Sequence, residues 1–314
     1  MSVFVQQQGT SCDFSGGDSW VILSPIEQSI KRKIEAVGTP LKDWDIQINY
    51  GIKTGFNDAF IIDTAKRDEI LNNCSDEDER KRTEELIRPI LRGRDIKRYS
   101  YEWAEQWLIA TFPARHYDIE RFPAVKKYLE SFAYDYLIKN GYAWIASNYL
   151  SEYCRKKLEQ SGKDIIINGK PVLDAKGTKE KSRKKTSNKW FETQDSISYW
   201  EDFKKPKIFY ADITQKLSFA ISTNGEFLNN TSYFFCGCEN DTLNYLLKIL
   251  NSNLFDWYYR TISVQLGEKA VRMFSIYVLR LPVPIFKNNI DALTTYQIYG
   301  LSKDEEDYIE SLSE

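Results

Sequence analysis

From Ser24 the chain reads Ser-Pro-Ile-Glu, and Ile26, Ile30, Ile34 and Val37 then follow at helical spacing up to Gly38. A capping-box start, one apolar stripe and a terminal glycine predict a helix. Just before it, Trp20 to Leu23 is short and apolar and reads as a strand. Asp45 to Tyr50 and Ala59 to Asp63 read as two further strands, joined by Gly51-Ile-Lys-Thr-Gly-Phe-Asn57, a glycine-bearing connection with an exposed polar tip. Helical stretches follow at Thr64 to Asn72 and Asp78 to Ile87. Trp107 to Ala110 has the pattern of a buried strand, and Phe122, Val125, Leu129 and Phe132 mark one face of a helix.

The pattern changes from Lys139 to Trp190. Periodicity is sparse there, apart from a hairpin signal at Ile165-Ile-Ile-Asn-Gly-Lys170, and the stretch reads as an insertion. Beyond it, Lys207 to Ile213, Phe219 to Ser222 and Ser232 to Cys236 are predicted strands. Leu243, Leu246, Leu247 and Leu250 define a helix with Asp241 at its cap, and Leu254, Trp257, Tyr258 and Ile262 define another. Ser275 to Val283 reads as a last strand, stopped by Pro282 and Pro284. The expected class is α/β (α+β), a mixed sheet with flanking helices and a basic insertion.

The chain has 314 residues, enough to bury a sizeable core. Apolar residues at 42% and charged residues at 28% are ordinary for a globular protein and exclude a disordered or fibrous one. No apolar run approaches the roughly 18 to 20 residues of a membrane span, and Met1 to Phe4 opens no signal peptide, so the expected place is the cytoplasm, with no membrane partner.

Charge is unevenly spread under a net of -2. Seven basic residues between Lys176 and Lys189 face one Glu, and five between Arg88 and Arg98 face only Asp95. Six acids against one Lys fill the stretch from Lys303 to Glu314. A basic face can therefore coexist with an acidic total. The Lys176 to Lys189 run offers little apolar surface to offset the entropy of ordering, and is expected to order only on DNA.

Candidate chemistry is thin. The five cysteines, Cys12, Cys74, Cys154, Cys236 and Cys238, are odd in number and scattered, as reduced thiols would be. Cys236 and Cys238 read as two small side chains on one strand face, and no second Cys or His pair supports a metal site. His116 is the only histidine and reads as a surface or capping imidazole. A Mg-dependent nuclease needs one carboxylate and then an acid-x-Lys on the next strand, and Asp164 with Asp174-Ala-Lys176 straddle the hairpin signal at such a spacing.

Three segments carry a family resemblance: Trp20-Val-Ile-Leu-Ser24, Tyr50-Gly-Ile-Lys-Thr-Gly-Phe-Asn-Asp-Ala-Phe-Ile-Ile-Asp63 and Ile87-Arg-Pro-Ile-Leu-Arg-Gly-Arg-Asp-Ile-Lys-Arg-Tyr99. They resemble the TaqI-like specificity domain of adenine-N6 DNA methyltransferases and of type IIG (Eco57I-like) restriction-modification enzymes. Lys207-Ile-Phe-Tyr210, Leu228-Asn-Asn-Thr231 and Leu250-Asn-Ser-Asn-Leu254 look like closing segments of the same family.

The resemblance implies a target-recognition domain over residues 20–286, with 139–190 as a basic insertion. Residues 1–19 would be an extension or linker from a missing catalytic domain, and 287–314 an acidic tail. The Asn-Pro-Pro-Tyr motif and the glycine-bearing strand-to-helix turn of such methyltransferases are both missing. The chain is thus expected to be non-catalytic and to hold no cofactor. S-adenosylmethionine, with Mg as a second candidate, is expected on a missing N-terminal methyltransferase domain or subunit.

Double-stranded DNA is the expected partner. Recognition needs cations on phosphates and a few Arg, Asn, Gln or Lys side chains on rigid turns facing base edges. Lys53, Thr54 and Asn57 on one turn, Arg92 and Arg94 with Lys97 and Arg98 on another, and Lys181, Arg183, Lys184 and Lys185 in the insertion are the candidate DNA-binding residues. Structural pairing with Asp95, or with Glu84 and Glu85, is the other reading of Arg92 and Arg94. A nuclease module and a protein-binding scaffold remain the alternative functions.

Overall fold

A computed structural model of the chain describes residues 22–44, 46–140, 160, 187–267, 269–285 and 293–312, with the paired strands at 166–167 and 170–171; for 133–140 and those two strands it describes only the backbone. In chain order the elements are α1 (Pro25–Val37), β1 (Thr39–Pro40), β2 (Gln47–Tyr50), α2 (Asn57–Phe60), β3 (Ile61–Asp63), α3 (Thr64–Asn72), α4 (Glu77–Leu86), β4 (Ile87–Leu91), β5 (Gln106–Ile109) and α5 (Pro123–Asn140). Then come β6 (Ile166–Ile167), β7 (Lys170–Pro171), β8 (Lys207–Ala211), β9 (Ile213–Thr214), β10 (Phe219–Ser222), β11 (Phe227–Leu228), β12 (Ser232–Cys236), α6 (Asn240–Leu250), α7 (Asn253–Ile262), β13 (Gln265–Leu266), β14 (Ala270–Arg272), α8 (Ser275–Val278), β15 (Pro282–Val283), α9 (Thr295–Ile298) and α10 (Lys303–Ser311). The α+β class read from the sequence holds.

A four-stranded antiparallel sheet in the order β10-β8-β12-β2 lies between two cores. Alternation along its strands sends Phe209, Ala211, Ala220 and Phe234 into one core and Ile208, Tyr210, Phe219 and Phe235 into the other. All five residues of β8 are therefore buried, as expected for a strand covered on both faces. The first core is closed by a second sheet, β11-β4-β5-β3, and by α3, α4 and α5 through Ile70, Leu86, Val125 and Leu129. The second core is closed by α1, α6 and α7 through Ile30, Ile34, Leu246, Leu250 and Phe255. A small sheet, β13-β14-β9, adjoins the central sheet where Met273 N–H donates to Asp212 O at 2.8 Å.

The capping box at α1 is present: Ser24 N–H donates to Glu27 Oε2 at 2.7 Å, and Glu27 N–H to Ser24 Oγ at 3.5 Å. Several expectations need correction. Trp20 and Val21 lie outside the described residues, and Ile22 and Leu23 form no strand, with Ile22 exposed. Residues 57–60 are helical, so β3 starts only at Ile61; β2 and β3 lie in different sheets, and the Gly51–Asn57 connection crosses between them. The strand expected to run on to Ile213 stops at Ala211. Asp241 lies in the first turn of α6, whose cap is Glu239.

The strand expected over 275–283 is a helical turn followed by the two residues of β15. Val278 and Leu281 are buried three apart while Ile276 is exposed, a helical spacing. Pro282 lies opposite Pro40, and two residues lacking N–H donors confine the ladder to its length of two. The acidic stretch read as a tail contains α10, opened by a Ser302–Glu305 capping box. Burial pushes the Glu305 carboxyl up, but Lys33 Nζ at 2.6 Å, Ser302 N–H at 2.7 Å and Ser29 Oγ at 2.8 Å outweigh it and hold the pKa at about 2.

Lys207 opens β8 fully buried, with Nζ donating to Phe203 O at 2.7 Å. Burial lowers its pKa from 10.5 to about 8, against the pull of Glu226. Between those two values the unfolded chain binds more protons than the folded one, so stability rises with pH across the window, by at most about 3 kcal/mol. Urea unfolding below pH 8 and near pH 10 is expected to show this rise in the native protein and to lose it in Lys207→Met. An equal rise in both would assign it to other groups.

Candidate nucleic-acid interface

Three segments run side by side in one direction and end at one edge of the molecule. β11 pairs parallel with β4, and beyond them Asn229 N–H donates to Leu91 O at 2.9 Å. Ile52, just past β2, bridges parallel to Asn229 and donates its N–H to Leu228 O at 2.8 Å. The turns that follow these segments are locked together by small residues and short polar side chains. Gly51 lies so near Asn229 that a Cβ there would stand 1.9 Å from the Asn229 carbonyl oxygen. Thr231 Oγ donates to Asn229 Oδ1 at 2.6 Å and accepts from Gly93 N–H at 2.8 Å. Tyr50 Oη donates to Asn230 O at 2.9 Å. From Gly93 the chain crosses the end of the central sheet and reaches β10, where Tyr99 N–H donates to Phe219 O at 2.9 Å.

Residues 88–283, which contain the Arg92, Asn229 and Asn251 turns, match the sequence profile of the TaqI-like C-terminal specificity domain. The chain belongs to this family. Two solved structures share a distant likeness with the chain. One is the type IIL restriction-modification enzyme MmeI in complex with DNA, at 12% identity and a TM-score of 0.43, over 77% of this chain and 25% of that one. The other is the type IIG restriction endonuclease BpuSI, at 13% identity and a TM-score of 0.48, over 92% of this chain and 28% of that one. The chain thus spans about a quarter of the length of each. No curated protein matches it.

The predicted residues have different surroundings. Arg92 is turned inward: Nε donates to Asp95 Oδ2 at 3.0 Å and Nη2 to Oδ1 at 2.8 Å, and Asp95 is buried. That bidentate bond raises the Arg92 pKa further. Arg98 donates Nε to Asn251 O at 2.9 Å and Nη2 to the same oxygen, placing a cation at the carboxyl end of α6, and its guanidinium lies 5.3 Å from the Tyr99 ring. Thr54 is buried; its hydroxyl donates to Asn57 Oδ1 at 2.7 Å and accepts from Phe56 N–H at 3.1 Å. Asn57 itself is exposed.

Lys53, Arg94 and Lys97 face solvent. Lys53 Nζ lies 5.0 Å from the Tyr50 ring, and its backbone is held by Asp195, whose Oδ2 accepts the Lys53 N–H at 3.3 Å. Arg94 has no side-chain partner among the described residues. Lys97 stands 3.9 Å from Glu102, an exposed pair of little energetic weight. The structure therefore brings the Lys53 turn and the Arg92 to Arg98 segment to one edge. Lys181, Arg183, Lys184 and Lys185 lie outside the described residues.

Sequence reasoning did not single out the residues that lock this edge, Asn229, Thr231 and Asn251. Their signal was the polar run that follows each leucine in the Leu228-Asn-Asn-Thr231 and Leu250-Asn-Ser-Asn-Leu254 segments that carry the family resemblance. Asn251 is buried and uses its side chain as a strand would: Oδ1 accepts from Phe219 N–H and Nδ2 donates to Phe219 O, both at 2.9 Å.

Other candidates have plainer surroundings. β12 ends at Cys236, and after Gly237 the two thiols part, Cys236 packing on the first core and Cys238 on the second, so they do not share a strand face. His116 is exposed and terminates the 3-10 turn Pro113–Arg115. Asp164, Asp174 and Lys176 lie outside the described residues, though β6 and β7 do form the predicted hairpin pairing. Among the described residues no group of three His, Cys, Asp or Glu is placed to hold a metal, and no helix is long and apolar enough to cross a membrane.

Proposed function

We propose that this specificity domain reads a double-stranded DNA target for an adenine-N6 DNA methyltransferase or a type II restriction-modification enzyme working in the cytoplasm. In this reading the domain is non-catalytic. The S-adenosylmethionine pocket, and any Mg site, belong to an N-terminal methyltransferase domain or a partner subunit. The observation that carries the reading is the locked edge: three turns joined backbone to backbone, with Lys53, Arg94 and Lys97 projecting from them. Rigid turns bearing cations supply both parts of recognition, phosphate contacts that set register and base-edge contacts that specify.

The two cations of the Arg-Gly-Arg turn divide the work. Arg92, tied to buried Asp95, shapes the turn, and Arg94 faces the DNA. With a target selected from a random duplex pool by the purified chain, Arg94→Ala is expected to cost about 1 to 3 kcal/mol on that target and much less on random DNA. Lys53→Ala is read the same way. Arg92→Ala is instead expected to lower the melting temperature. Equal losses on selected and random DNA, with circular dichroism unchanged, would make Arg94 and Lys53 phosphate clamps and remove them as base readers. An absence of salt-sensitive binding to any duplex would overturn the reading itself.

A further inference from the structure

A second cationic site lies at the other end of β4. Arg88 lies near the start of that strand and Arg92 just past its end, four residues or roughly 13 Å away, and at the Arg88 end a cleft of about 620 Å³ opens between α4, the turns after β5 and the Trp200–Lys204 turn. Four arginines line it, Arg82, Arg88, Arg115 and Arg121, together with Lys204; the acids on its wall are Glu85 and Asp118. Among the described residues none of the four guanidinium groups is in an ion pair within 4 Å of a carboxylate; Arg82 acts on Asp76 only at longer range, where it helps to lower that carboxyl's pKa. Arg82 Nη2 reaches only the Arg121 carbonyl, at 3.5 Å. The Nε atoms of Arg82 and Arg88 are buried with no hydrogen-bond partner.

Such an arrangement is costly when empty. Four arginines and Lys204 share one cleft, only Lys204 having an ion-pair partner among the described residues, Glu201 at 3.2 Å, and buried N–H donors that go unmet lose their hydration without compensation. The arginines are nevertheless held in place. Arg115 stacks on the Trp200 ring at 3.9 Å, with Lys204 Nζ 4.3 Å from the same ring, and Arg88 lies 6.0 Å from the Phe227 ring. Stacking engages the face of a guanidinium and leaves its in-plane donors for a tetrahedral oxyanion, which takes them two at a time. The volume far exceeds that of a lone inorganic ion and falls in the range of about 300 to 1,000 Å³ usual for small-ligand sites.

We infer that this cleft binds a phosphate group, carried by a free nucleotide or by the backbone of a DNA strand. It is separate from the locked edge and was invisible in sequence, since its arginines are spread over four different elements. The inference does not depend on the edge being the base-reading surface.

Thermal melting of the whole chain with inorganic pyrophosphate, AMP and adenosine tests the free source, and the salt dependence of binding to a random-sequence duplex tests the DNA source. If the source is free, pyrophosphate and AMP raise the melting temperature, adenosine does not, and Arg88→Gln/Arg115→Gln weakens the effect at least tenfold. If the source is DNA, the same double variant flattens the log-affinity against log-salt slope by about 0.9 per lost contact. Arg121→Gln, an exposed change, gives the same readings if the double variant fails to fold. Correctly folded variants that change neither reading would overturn the inference. A protein that binds no duplex but still responds to pyrophosphate would fail the proposed function while keeping this site.

Discussion

Replacing Gly51 with alanine is expected to lower stability by more than about 3 kcal/mol and to abolish DNA binding, the most damaging single change at the recognition edge. The added Cβ would lie 1.9 Å from the Asn229 carbonyl oxygen, 2.6 Å from its carbon and 2.9 Å from the Ser232 oxygen. All three are backbone atoms, so no side chain can swing aside to make room. Relief requires moving β2 away from the 229–232 turn, which breaks the Gly51 N–H to Ser232 O bond at 2.9 Å and the Ile52 N–H to Leu228 O bond at 2.8 Å. Gly267→Ala is the control. That glycine, unlike Gly51, has positive φ, at 66°, but nothing lies within 4 Å of its Cβ position, so its cost is only the left-handed backbone, roughly 1 to 2 kcal/mol. Equal urea midpoints for the two variants would show that the contact at Gly51 yields easily and that the edge is not locked there.

Asn251→Ala is expected to cost about 2 to 4 kcal/mol although it deletes only a carboxamide. The change leaves the Phe219 N–H without its buried acceptor, while Phe219 O keeps its bond from Tyr99 N–H. The Arg98 contact is to the Asn251 backbone and survives unless α6 shifts. Asn251→Asp discriminates further: it restores the acceptor but sets a carboxylate against the Phe219 carbonyl, and is expected to be worse than alanine. Chemical denaturation of the three proteins orders them. An alanine variant within about 0.5 kcal/mol of the native chain, the range of an ordinary surface substitution, would show that water replaces both bonds.

How far this architecture was legible follows from where the information lies along the chain. Ser24 and Glu27 are three residues apart, so their capping box was plain, as were the apolar stripes of α1, α6 and α7. Which sheet a strand joins is settled between distant segments, and nothing local in the 51–57 connection tells that its two strands go to separate sheets. The site divides in the same way. The crowding of cations near Arg92 was visible in sequence, whereas the inward turn of Arg92 and the outward one of Arg94 depend on Asp95 being buried. The Arg82, Arg88, Arg115 and Arg121 cleft left no trace in the order of residues.

The locked turns also bear on how such a domain changes its target. Backbone position at the edge is secured by Gly51, Gly93, Asn229, Thr231 and Asn251, none of which needs to touch DNA for that task. Lys53, Arg94 and Lys97 carry little of the folding load, and exposed positions of this kind tolerate substitution within about 0.5 kcal/mol. On the proposed reading, in which these three positions face DNA, divergence can therefore try new side chains there while the scaffold beneath them stays constant, so a preference for one base can drift to another without passing through an unstable intermediate. A library randomised at Lys53, Arg94 and Lys97 alone would stay largely folded and differ chiefly in the sequences it retains.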